Sequence, residues 1–175
     1  HVVQNKKNIK FLFNNEEISA KLISFDQQLD LALLKSKKKN KSFIKFSNNS
    51  PKKAQNILVA GYPHAKAVSD DLIITGGIIN SLKGIANNTS MLQIDANINR
   101  GNSGGPIVDK DTGNLVAVAT MKLIGKDASI DNMNFGIKSS QVKDFIEANN
   151  IEVTIKKGKF NISDLETSTV FIFCN

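Results

Sequence analysis

Short apolar runs, many of them alternating with polar residues, recur along almost the whole chain. Alternation with a period of two is typical of half-buried β-strands, and turns rich in Asn, Asp and Gly separate the runs. The sequence is therefore predicted to be all-β. The predicted strands are Ile9–Phe13, Glu17–Phe25, Leu31–Leu34, Phe43–Phe46, Asn56–Ala60, Leu72–Ile74, Gly77–Leu82, Met91–Ile94, Pro106–Val108, Leu115–Thr120, Asn134–Ile137, Ile151–Ile155 and Thr169–Phe173.

One segment, Ser139–Asn149, has a helical period instead of an alternating one. Its spacing brings apolar residues onto a single face, as in a helix that packs on a core. That face consists of Val142, Phe145 and Ile146. Serine is a preferred N-cap residue, so Ser139 or Ser140 is expected to cap the helix with its hydroxyl. A single helix near the end of the chain is therefore predicted.

Three polar segments predict how the strands are connected. Asn14-Asn15 favours a hairpin turn, because Asn tolerates the left-handed backbone conformation that such turns need. Gly76-Gly77 indicates a bend or bulge within a strand region. Asn48–Lys53 has the composition of a linker, and it is the best internal boundary between two halves of the chain.

The composition limits the function classes. The 175 residues carry a net charge of +7, which comes almost entirely from lysine because Arg100 is the only arginine. Nucleic-acid-binding proteins usually combine arginine with aromatic residues, so we predict no nucleic-acid partner. The lysines are expected to form a solvated surface, with weak attraction to an anionic surface as the alternative.

Cysteine and histidine are too few for a disulfide framework or a metal cluster. Cys174 is the only cysteine, and the chain has two histidines. No internal disulfide can form, and we predict no bound metal and no cofactor. No apolar run approaches the length of a membrane span, so no transmembrane segment is predicted.

The stretch with the most chemical content is Asn97–Val108. At its centre, residues 101–106 read Gly-Asn-Ser-Gly-Gly-Pro, and apolar residues on both sides predict two supporting strands. A tight loop that exposes one hydroxyl beside free backbone N–H groups suits a nucleophile with its oxyanion hole. The alternative interpretation is a glycine-rich turn in which Ser103 is incidental.

A serine nucleophile needs a base, and the base needs an orienting carboxylate. His1 and Asp30 precede Ser103, and Asp30 lies directly before an apolar strand, where a carboxylate needs a partner. The alternative for Asp30 is a turn cap bound to backbone N–H groups. Asp26 is expected to be an ordinary turn residue, and His64 a surface loop residue.

At this point the sequence resembles the trypsin/chymotrypsin-like serine proteases, and more closely their HtrA/Deg group. The resemblance rests on several segments in a consistent order over about residues 1–149. The nucleophile segment LQIDANINRGNSGGPIVD is highly specific, whereas the others are weak singly and strong together. Those other segments are HVV, LDLALLK, VAGYP, ITGGIINSLKG, GNLVAVAT and NFGIKSSQVKDFI.

The resemblance implies two six-stranded antiparallel β-barrels, of which the first is incomplete in this chain, and one C-terminal helix. Residues 1–50 would be the remainder of the first barrel, and residues 51–150 the second barrel with its closing helix. Residues 151–175 would begin an unassigned extension. We expect further strands before His1, possible oligomerisation through them, and low stability and uncertain activity of this chain alone.

The resemblance also implies the site. Ser103 would be the nucleophile, His1 the general base and then acid, and Asp30 the residue that orients His1. The oxyanion hole would be the segment Gly101–Ser103, through the N–H groups of Gly101 and Ser103. Asn134–Ile137 would be an edge strand that binds the substrate main chain, with Asn134, Phe135, Gly136 and Ile137 as binding residues.

Two positions depart from the usual pattern of trypsin-like enzymes. Asn102 replaces the aspartate that pairs with a new N-terminus on activation, so neighbouring loops such as Gly125–Asn132, together with Arg100, would order the site. Asn97 stands where the resemblance places the floor of the specificity pocket. Because Asn97 is uncharged, small or medium uncharged substrate side chains are expected.

The resemblance predicts a serine endopeptidase that acts on unfolded or exposed protein segments through an acyl-enzyme. Polypeptides are the expected substrates, and the periplasm or cell envelope of a bacterium is the expected location. The alternative is a catalytically silent relative that binds peptides or acts as a chaperone. A lysine-rich nucleic-acid binder is a third interpretation, and it predicts tight, salt-sensitive binding.

Overall fold

A computed structural model describes residues 1–47, 49–63, 71–123, 133–153 and 160–174, with residues 121–123 described by their backbone only. The chain forms mainly antiparallel strands. The strands are β1 (Ile9–Phe13), β2 (Glu16–Asp26), β3 (Leu31–Ser36), β4 (Asn56–Gly61), β5 (Ile73–Ser81), β6 (Met91–Ile94), β7 (Pro106–Asp109), β8 (Leu115–Leu123), β9 (Met133–Lys138) and β10 (Phe171–Cys174). The helices are α1 (Ser139–Ala148), α2 (Ser163–Ser168) and a single 3-10 turn (Ile85–Asn87).

Six of these strands close into an antiparallel barrel in the order β4-β5-β6-β9-β8-β7. Closure pairs both edges of each strand over part of its length and removes the free edges of an open sheet. The barrel interior is filled by aliphatic side chains that are at most 1% exposed. The largest of them are Ile57, Ile79, Leu92, Ile94 and Ile107. The predicted second barrel is therefore confirmed.

The other four strands form an open sheet in the order β10-β1-β2-β3. This sheet confirms the prediction that the first barrel is incomplete. Its β1–β2 turn is formed by Asn14 and Asn15, which have φ of 51° and 62°, as the Asn-Asn pair predicted. The outer edge of β3 pairs with no other strand within the described residues, whereas β10 covers the outer edge of β1.

Helix α1 confirms the predicted helix and its apolar face. Val142 is buried in a cluster with Leu31, Met91 and Phe135, and both Phe145 and Ile146 pack against that cluster. The predicted serine cap is wrong: Lys138 is the N-cap residue, and no side chain caps the helix. The helix follows β9 without a loop, so its first residue is fixed by the strand and not by a capping hydroxyl.

Three further details differ from the sequence-based predictions. Helix α2 was not predicted, because its six residues include a single apolar one, Leu165. β5 runs through Gly76-Gly77 without interruption, and its irregularity lies instead between Ile79 and Ser81. Phe43–Phe46 is not a strand and contributes only an isolated bridge from Phe46 to Leu115. Within the described part of the chain, no helix is long and apolar enough to cross a membrane.

Residues 160–174, here called the 160–174 arm, fasten the open sheet to the barrel. At one end of the arm, Leu165 is fully buried in a cluster with Ala60 and Val108 of the barrel. At the other end, β10 pairs with β1 from Leu12↔Phe171 to Ile9↔Cys174. The predicted domain boundaries near residues 50 and 150 stay predictions. After residue 150 the chain returns to the first sheet, where β10 pairs with β1.

The arm contains a buried hydroxyl, that of Thr169, which lowers the free energy of unfolding of the chain. Thr169 is 8% exposed, and its Oγ1 has no hydrogen-bond partner within the described residues. A buried polar group without a partner costs about 1–3 kcal/mol. We therefore expect Thr169→Val, which keeps the side-chain shape, to raise the free energy of unfolding by about 1–2 kcal/mol in urea titrations.

The matched control is Thr167→Val. Thr167 lies two residues earlier and is exposed, and its Oγ1 donates to the carbonyl of Ser163 at 3.0 Å. Losing this bond should lower the free energy of unfolding by about 0.5 kcal/mol or leave it unchanged. A decrease with Thr169→Val would contradict the assignment of a destabilising hydroxyl.

The β7–β8 turn is organised by the carboxylate of Asp109. Its two oxygens accept hydrogen bonds from Gln55 Nε2 at 2.7 Å, from Thr112 N–H at 2.8 Å and from Thr112 Oγ1 at 2.7 Å. Burial tends to raise the pKa of Asp109, but these bonds, with one from the Asp111 N–H, outweigh it and hold the pKa below its ordinary value.

A group whose pKa is lower in the folded state stabilises the fold above its unfolded-state pKa, and this contribution is lost as the pH falls through the folded-state value. We expect Asp109→Asn to lower the free energy of unfolding at pH 7 by about 1 kcal/mol, and the difference to shrink below about pH 4. Urea titrations at both pH values measure it. Asp111→Asn, at an exposed position of the same turn, should give no such difference.

Candidate active site

The loop between β6 and β7 presents Ser103 toward β8. Ser103 is half-buried, and its Oγ donates a hydrogen bond to the backbone carbonyl of Thr120 at 3.2 Å. The loop is held by further backbone bonds, from Gly104 N–H to the Ala119 carbonyl at 2.7 Å and from Gly105 N–H to the Asn102 carbonyl at 2.9 Å. The hydroxyl is therefore supported by the barrel and not by a mobile turn.

The backbone around Ser103 leaves two N–H groups available. Neither the Gly101 N–H nor the Ser103 N–H donates a hydrogen bond within the described residues. Gly101 has φ of +106°, and a Cβ atom there would collide with the Tyr62 carbonyl and lie 3.0 Å from Pro63 Cα. Only glycine fits this position, and its conformation leaves the N–H without an internal acceptor.

Asn102, which stands between Gly101 and Ser103 in the sequence, is buried. It is 3% exposed, and its Oδ1 has no partner within the described residues. The side chain lies against Gly61, where a Cβ atom would approach Asn102 Oδ1 to 2.7 Å. A carboxylate enclosed in this way without a cation would cost far more than a neutral amide. The neutral residue at position 102 therefore agrees with its surroundings.

Asp30 and His1 form a hydrogen-bonded pair beside the loop. His1 Nδ1 lies 2.6 Å from Asp30 Oδ2. Asp30 has φ of 54°, a left-handed conformation that Asp adopts more readily than most residues, at the turn that leads into β3. The carboxylate thus fixes the orientation of the imidazole ring through Nδ1. Asp26, by contrast, caps the preceding turn by accepting from Gln28 N–H and Leu29 N–H.

Thr120, which was not predicted from the sequence, connects the pair with the serine. Its Oγ1 donates to Asp30 Oδ2 at 2.8 Å, while its carbonyl accepts from Ser103 Oγ. The register of β8 against β9 shifts between Ala119 and Met121, so Thr120 lies at an irregularity that turns its side chain out of the regular alternation. Strand periodicity alone does not reveal such a residue.

His1 and Ser103 are brought to the same site without a direct hydrogen bond. Within the described residues, Ser103 Oγ bonds only to Thr120, and the His1 ring bonds only to Asp30. In ligand-free sites such catalytic bonds are often long and shorten when substrate binds. Both residues line one cavity of about 610 Å³, together with Asp30 and Gly101.

One predicted feature is wrong: Asn134–Ile137 is not an edge strand. β9 pairs with β6 on one side and with β8 on the other, so it offers no free main-chain groups to a substrate. All four residues are buried in the barrel, and Asn134 Oδ1 accepts from the Ile98 N–H at 3.1 Å. The predicted binding residues Asn134, Phe135, Gly136 and Ile137 therefore support the serine loop and the core.

The remaining predicted positions are spread around the site. Asn97 is exposed at the start of the loop, so its predicted role as a pocket floor stays a prediction. Arg100 is exposed and lines the cavity beside Ser103. His64 and the Gly125–Asn132 loop lie outside the described residues.

Tyr62 closes one side of the cavity and joins it to the 160–174 arm. Its hydroxyl donates to the Thr169 carbonyl at 3.2 Å, and its ring lies 5.9 Å from that of Phe171. Burial raises the pKa of Tyr62, and the negative charges of Asp71 and Glu166 raise it further, so the hydroxyl stays protonated as a donor. Among the described residues, no cluster of side chains is suited to hold a metal ion.

Comparison with known proteins places this geometry in a family. The family model of the trypsin-like peptidase domain matches residues 1–118. The Serine protease Do-like HtrA of Bacillus subtilis is 30% identical over an alignment of 181 positions, and the match covers 97% of this chain and 39% of the relative. Serine endoprotease DegS of Haemophilus influenzae is 32% identical over an alignment of 178 positions, and the match covers 97% of this chain and 51% of the relative. The chain spans about half the length of these relatives or less.

A solved structure agrees with this result. The crystal structure of the serine endoprotease from Yersinia pestis matches with a TM-score of 0.71 and 28% sequence identity, and the match covers 85% of this chain and 51% of that chain. The closed barrel, the serine loop and the Asp30–His1 pair are thus found in a chain whose relatives are serine proteases. The chain belongs to the trypsin-like peptidases and, within them, to the HtrA group.

Proposed function

We propose that this chain is the catalytic domain of a serine endopeptidase. The observation that carries the proposal is the continuous set of contacts from His1 through Asp30 and Thr120 to Ser103. Together with the two available N–H groups of Gly101 and Ser103, this set supports a nucleophile, a base, an orienting carboxylate and an oxyanion hole at one site.

In the acylation step, Ser103 Oγ attacks the carbonyl carbon of the scissile peptide bond. His1 accepts the hydroxyl proton, and Asp30 stabilises the imidazolium that forms. The negative charge on the substrate oxygen is stabilised by the N–H groups of Gly101 and Ser103. His1 then donates the proton to the leaving amine, and the C–N bond breaks.

In the deacylation step, water replaces the leaving amine. His1 takes a proton from the water, which attacks the acyl carbon and releases the new carboxyl end from Ser103 Oγ. The proton returns to Ser103. The two halves of the reaction use the same residues in opposite directions.

The substrate main chain is proposed to pair with the end of β8. β7 pairs with β8 only as far as Val118, while β8 continues to Leu123 with β9 on its other side. Residues 120–123 therefore have an edge with no partner strand within the described residues, and this edge begins at the carbonyl that holds Ser103. A peptide must be extended to pair there, which favours unfolded or exposed protein segments as substrates.

We also propose that the domain works outside the cytoplasm, in the periplasm or cell envelope of a bacterium. This proposal rests on its membership of the HtrA group. The single cysteine, Cys174, is compatible with an oxidising compartment because no disulfide is needed for the fold.

Digestion of an unfolded protein tests the proposed function. Reduced and carboxymethylated casein is incubated with the chain, and the peptides are identified by mass spectrometry. We expect new internal cleavages with the unchanged chain and none with Ser103→Ala. Equal casein binding by both proteins without any cleavage would contradict the proposal and support the peptide-binding alternative.

A further inference from the structure

The charge of the chain is distributed unevenly along its length. Residues 1–53, which include β1, β2 and β3, contain 12 lysines and 4 acidic residues. The rest of the chain contains 11 basic and 12 acidic residues, so the whole positive excess lies within residues 1–53. A charge asymmetry of this kind is typical of proteins that bind a polyanion or a membrane surface.

The lysines gather at strand ends that lie away from the catalytic residues. Residues 35–45 hold six lysines and begin where β3 ends. Because a strand advances about 3.3 Å per residue, the end of β3 is about 20 Å from Asp30. Lys110 lies in the β7–β8 turn, at the end of β7 that is opposite the serine loop. Both groups of lysines are thus separated from the catalytic residues by the length of a strand.

Hydrogen bonds join these lysines into one surface. The Leu115 N–H, where the β7–β8 turn ends, donates to the Lys45 carbonyl at 2.7 Å. At the other side of the turn, Gln55 accepts from the Lys52 N–H at 2.9 Å and donates to Asp109 at 2.7 Å. We call this surface the basic face. It consists of the six lysines of residues 35–45 with Lys52, Lys53 and Lys110.

Most lysines of the basic face are exposed, and few are neutralised. Lys38 is paired with Glu16 at 3.0 Å, whereas Lys37 and Lys39 form no ion pair within the described residues. Lys35 stands directly opposite Lys21 in the β2–β3 register. Like charges in this position destabilise a sheet, so the chain keeps the pair at a cost in stability. Such a cost is expected where a surface has a function.

Acidic residues at the edges of the basic face offset only part of its charge. They lie at the start of β2, in the β7–β8 turn and on α2, where the Thr167 carbonyl accepts from Asn40 Nδ2 at 2.7 Å. They are Glu16, Asp109, Asp111, Asp164 and Glu166. Nine lysines against five carboxylates leave the face positive, so it is complementary to a negatively charged partner.

An exposed aromatic side chain lies within the basic face. Phe43 stands between Lys41 and Lys45 and is 46% exposed. It belongs to none of the buried clusters, whereas its neighbours Ile44 and Phe46 pack on them. Lysines around an exposed aromatic ring are typical of surfaces that bind anionic membranes, because charge attraction and burial of the ring at the lipid interface act together.

We propose that the basic face binds the surface of a membrane rich in anionic lipids, with Phe43 entering the headgroup region. Nucleic acid fits this face less well, because the only arginine of the chain, Arg100, lies beside Ser103. Lysine is a compact point charge that suits a diffuse negative surface, while recognition of individual phosphates favours the bidentate guanidinium. The catalytic cavity then faces away from the lipid. This inference does not depend on the proposed function.

Sedimentation with lipid vesicles tests the role of charge. The chain is mixed with vesicles of phosphatidylcholine, or of equal parts phosphatidylcholine and phosphatidylglycerol. We expect it to bind only the mixed vesicles and to be released by high salt, which screens exposed charges. Each lysine near an anionic surface contributes about fivefold in affinity, so Lys37→Gln with Lys39→Gln should weaken binding at least about tenfold.

Lys6→Gln with Lys7→Gln is the matched control. It removes the same charge from two exposed positions before β1, at the end of the open sheet that carries His1. This double variant should bind the mixed vesicles as the unchanged chain does. Equal weakening in both double variants, or equal binding to both kinds of vesicle, would overturn the basic face as the contact surface.

A tryptophan reporter tests the position of Phe43 at the membrane. The chain contains no tryptophan, so Phe43→Trp introduces a single one. We expect its fluorescence emission to shift to shorter wavelength with the mixed vesicles. Ile73→Trp is the control, because Ile73 is 43% exposed and pairs with Gly61 at the catalytic end of β5. No shift for Phe43→Trp, or an equal shift for both variants, would contradict entry of Phe43 into the headgroup region.

An ethyl fluorophosphonate tests the orientation on the membrane. Ser103 Oγ forms a bond to phosphorus, fluoride leaves, and His1 takes the hydroxyl proton. The rate of labelling should be the same with and without the mixed vesicles, and vesicles that block labelling would contradict the orientation. Without any labelling the proposed function fails, while the vesicle measurements still decide about the basic face.

Polyanions in solution test whether the partner is a membrane. Duplex DNA and polyphosphate are titrated against the chain at the salt concentration of the vesicle experiment. We expect both to bind more weakly than the mixed vesicles, because neither offers an apolar interface to Phe43. Tight binding of either polyanion without binding to the mixed vesicles would overturn the membrane as the partner.

Discussion

Asp30→Asn is expected to lower kcat by about 10⁴-fold, the size of effect known for loss of the orienting carboxylate in a Ser-His-Asp triad. In the folded protein, Asp30 Oδ2 accepts hydrogen bonds from His1 Nδ1 and from the Thr120 hydroxyl. An amide in its place has no negative charge, so it cannot stabilise the imidazolium that forms on His1. Asn tolerates the left-handed backbone, here φ of 54°, as well as Asp does. The fold should therefore survive. The rate is measured with casein or with the ethyl fluorophosphonate.

Asp26→Asn is the matched control for this change. Asp26 is four residues earlier and bonds through Oδ1 to the N–H groups of Gln28 and Leu29, which an amide oxygen can also accept. We expect kcat of Asp26→Asn to equal that of the unchanged chain. A rate for Asp30→Asn within tenfold of the unchanged chain, at equal stability, would contradict the role assigned to Asp30.

Gly101→Ala is expected to be the most damaging change in the serine loop. A methyl group there meets the Tyr62 carbonyl and Pro63 Cα, and φ of +106° is unfavourable for any residue with a Cβ. The loop must move, and the Gly101 N–H moves with it. Loss of one oxyanion-hole donor lowers kcat by about 10²–10³-fold, and we expect a loss in this range with KM little changed.

Gly104→Ala separates loss of the donor from general backbone strain. Gly104 also has a positive φ, of 84°, but a Cβ atom there would have no atom within 4 Å. The strain costs about 1–2 kcal/mol of stability and leaves the N–H groups of Gly101 and Ser103 in place. Similar kcat values for the two variants would mean that strain, and not the oxyanion hole, explains the effect of Gly101→Ala.

Where turn residues and alternation agree, the sequence predicts the fold well. β1 and β6 have the predicted bounds, because polar turn residues flank each of these apolar runs. The serine loop was located by Gly101, Gly104 and Gly105 around Ser103, read together with His1 and Asp30. The closed barrel follows from strands of this kind once the family resemblance supplies their order.

The sequence-based predictions were wrong or incomplete where contacts between distant parts of the chain determine the structure. α2 contains one apolar residue, Leu165. Its burial depends on Ala60 and Val108, which are far from it in the sequence. Strand alternation shows which faces of β9 are apolar but not which strands adjoin it, so its central place between β6 and β8 was missed. Thr120 was missed because a register shift, not periodicity, directs its side chain toward Asp30.

Peptide mapping after reaction with the ethyl fluorophosphonate tests the central claim most directly. We expect one phosphonyl adduct per chain, located on Ser103, with no adduct on Ser103→Ala and slow labelling of Asp30→Asn. These results would show that Ser103 is a nucleophile activated by His1 and Asp30. An adduct on another residue, or an intact chain without any adduct on Ser103, would contradict the assignment of this site as that of a serine peptidase.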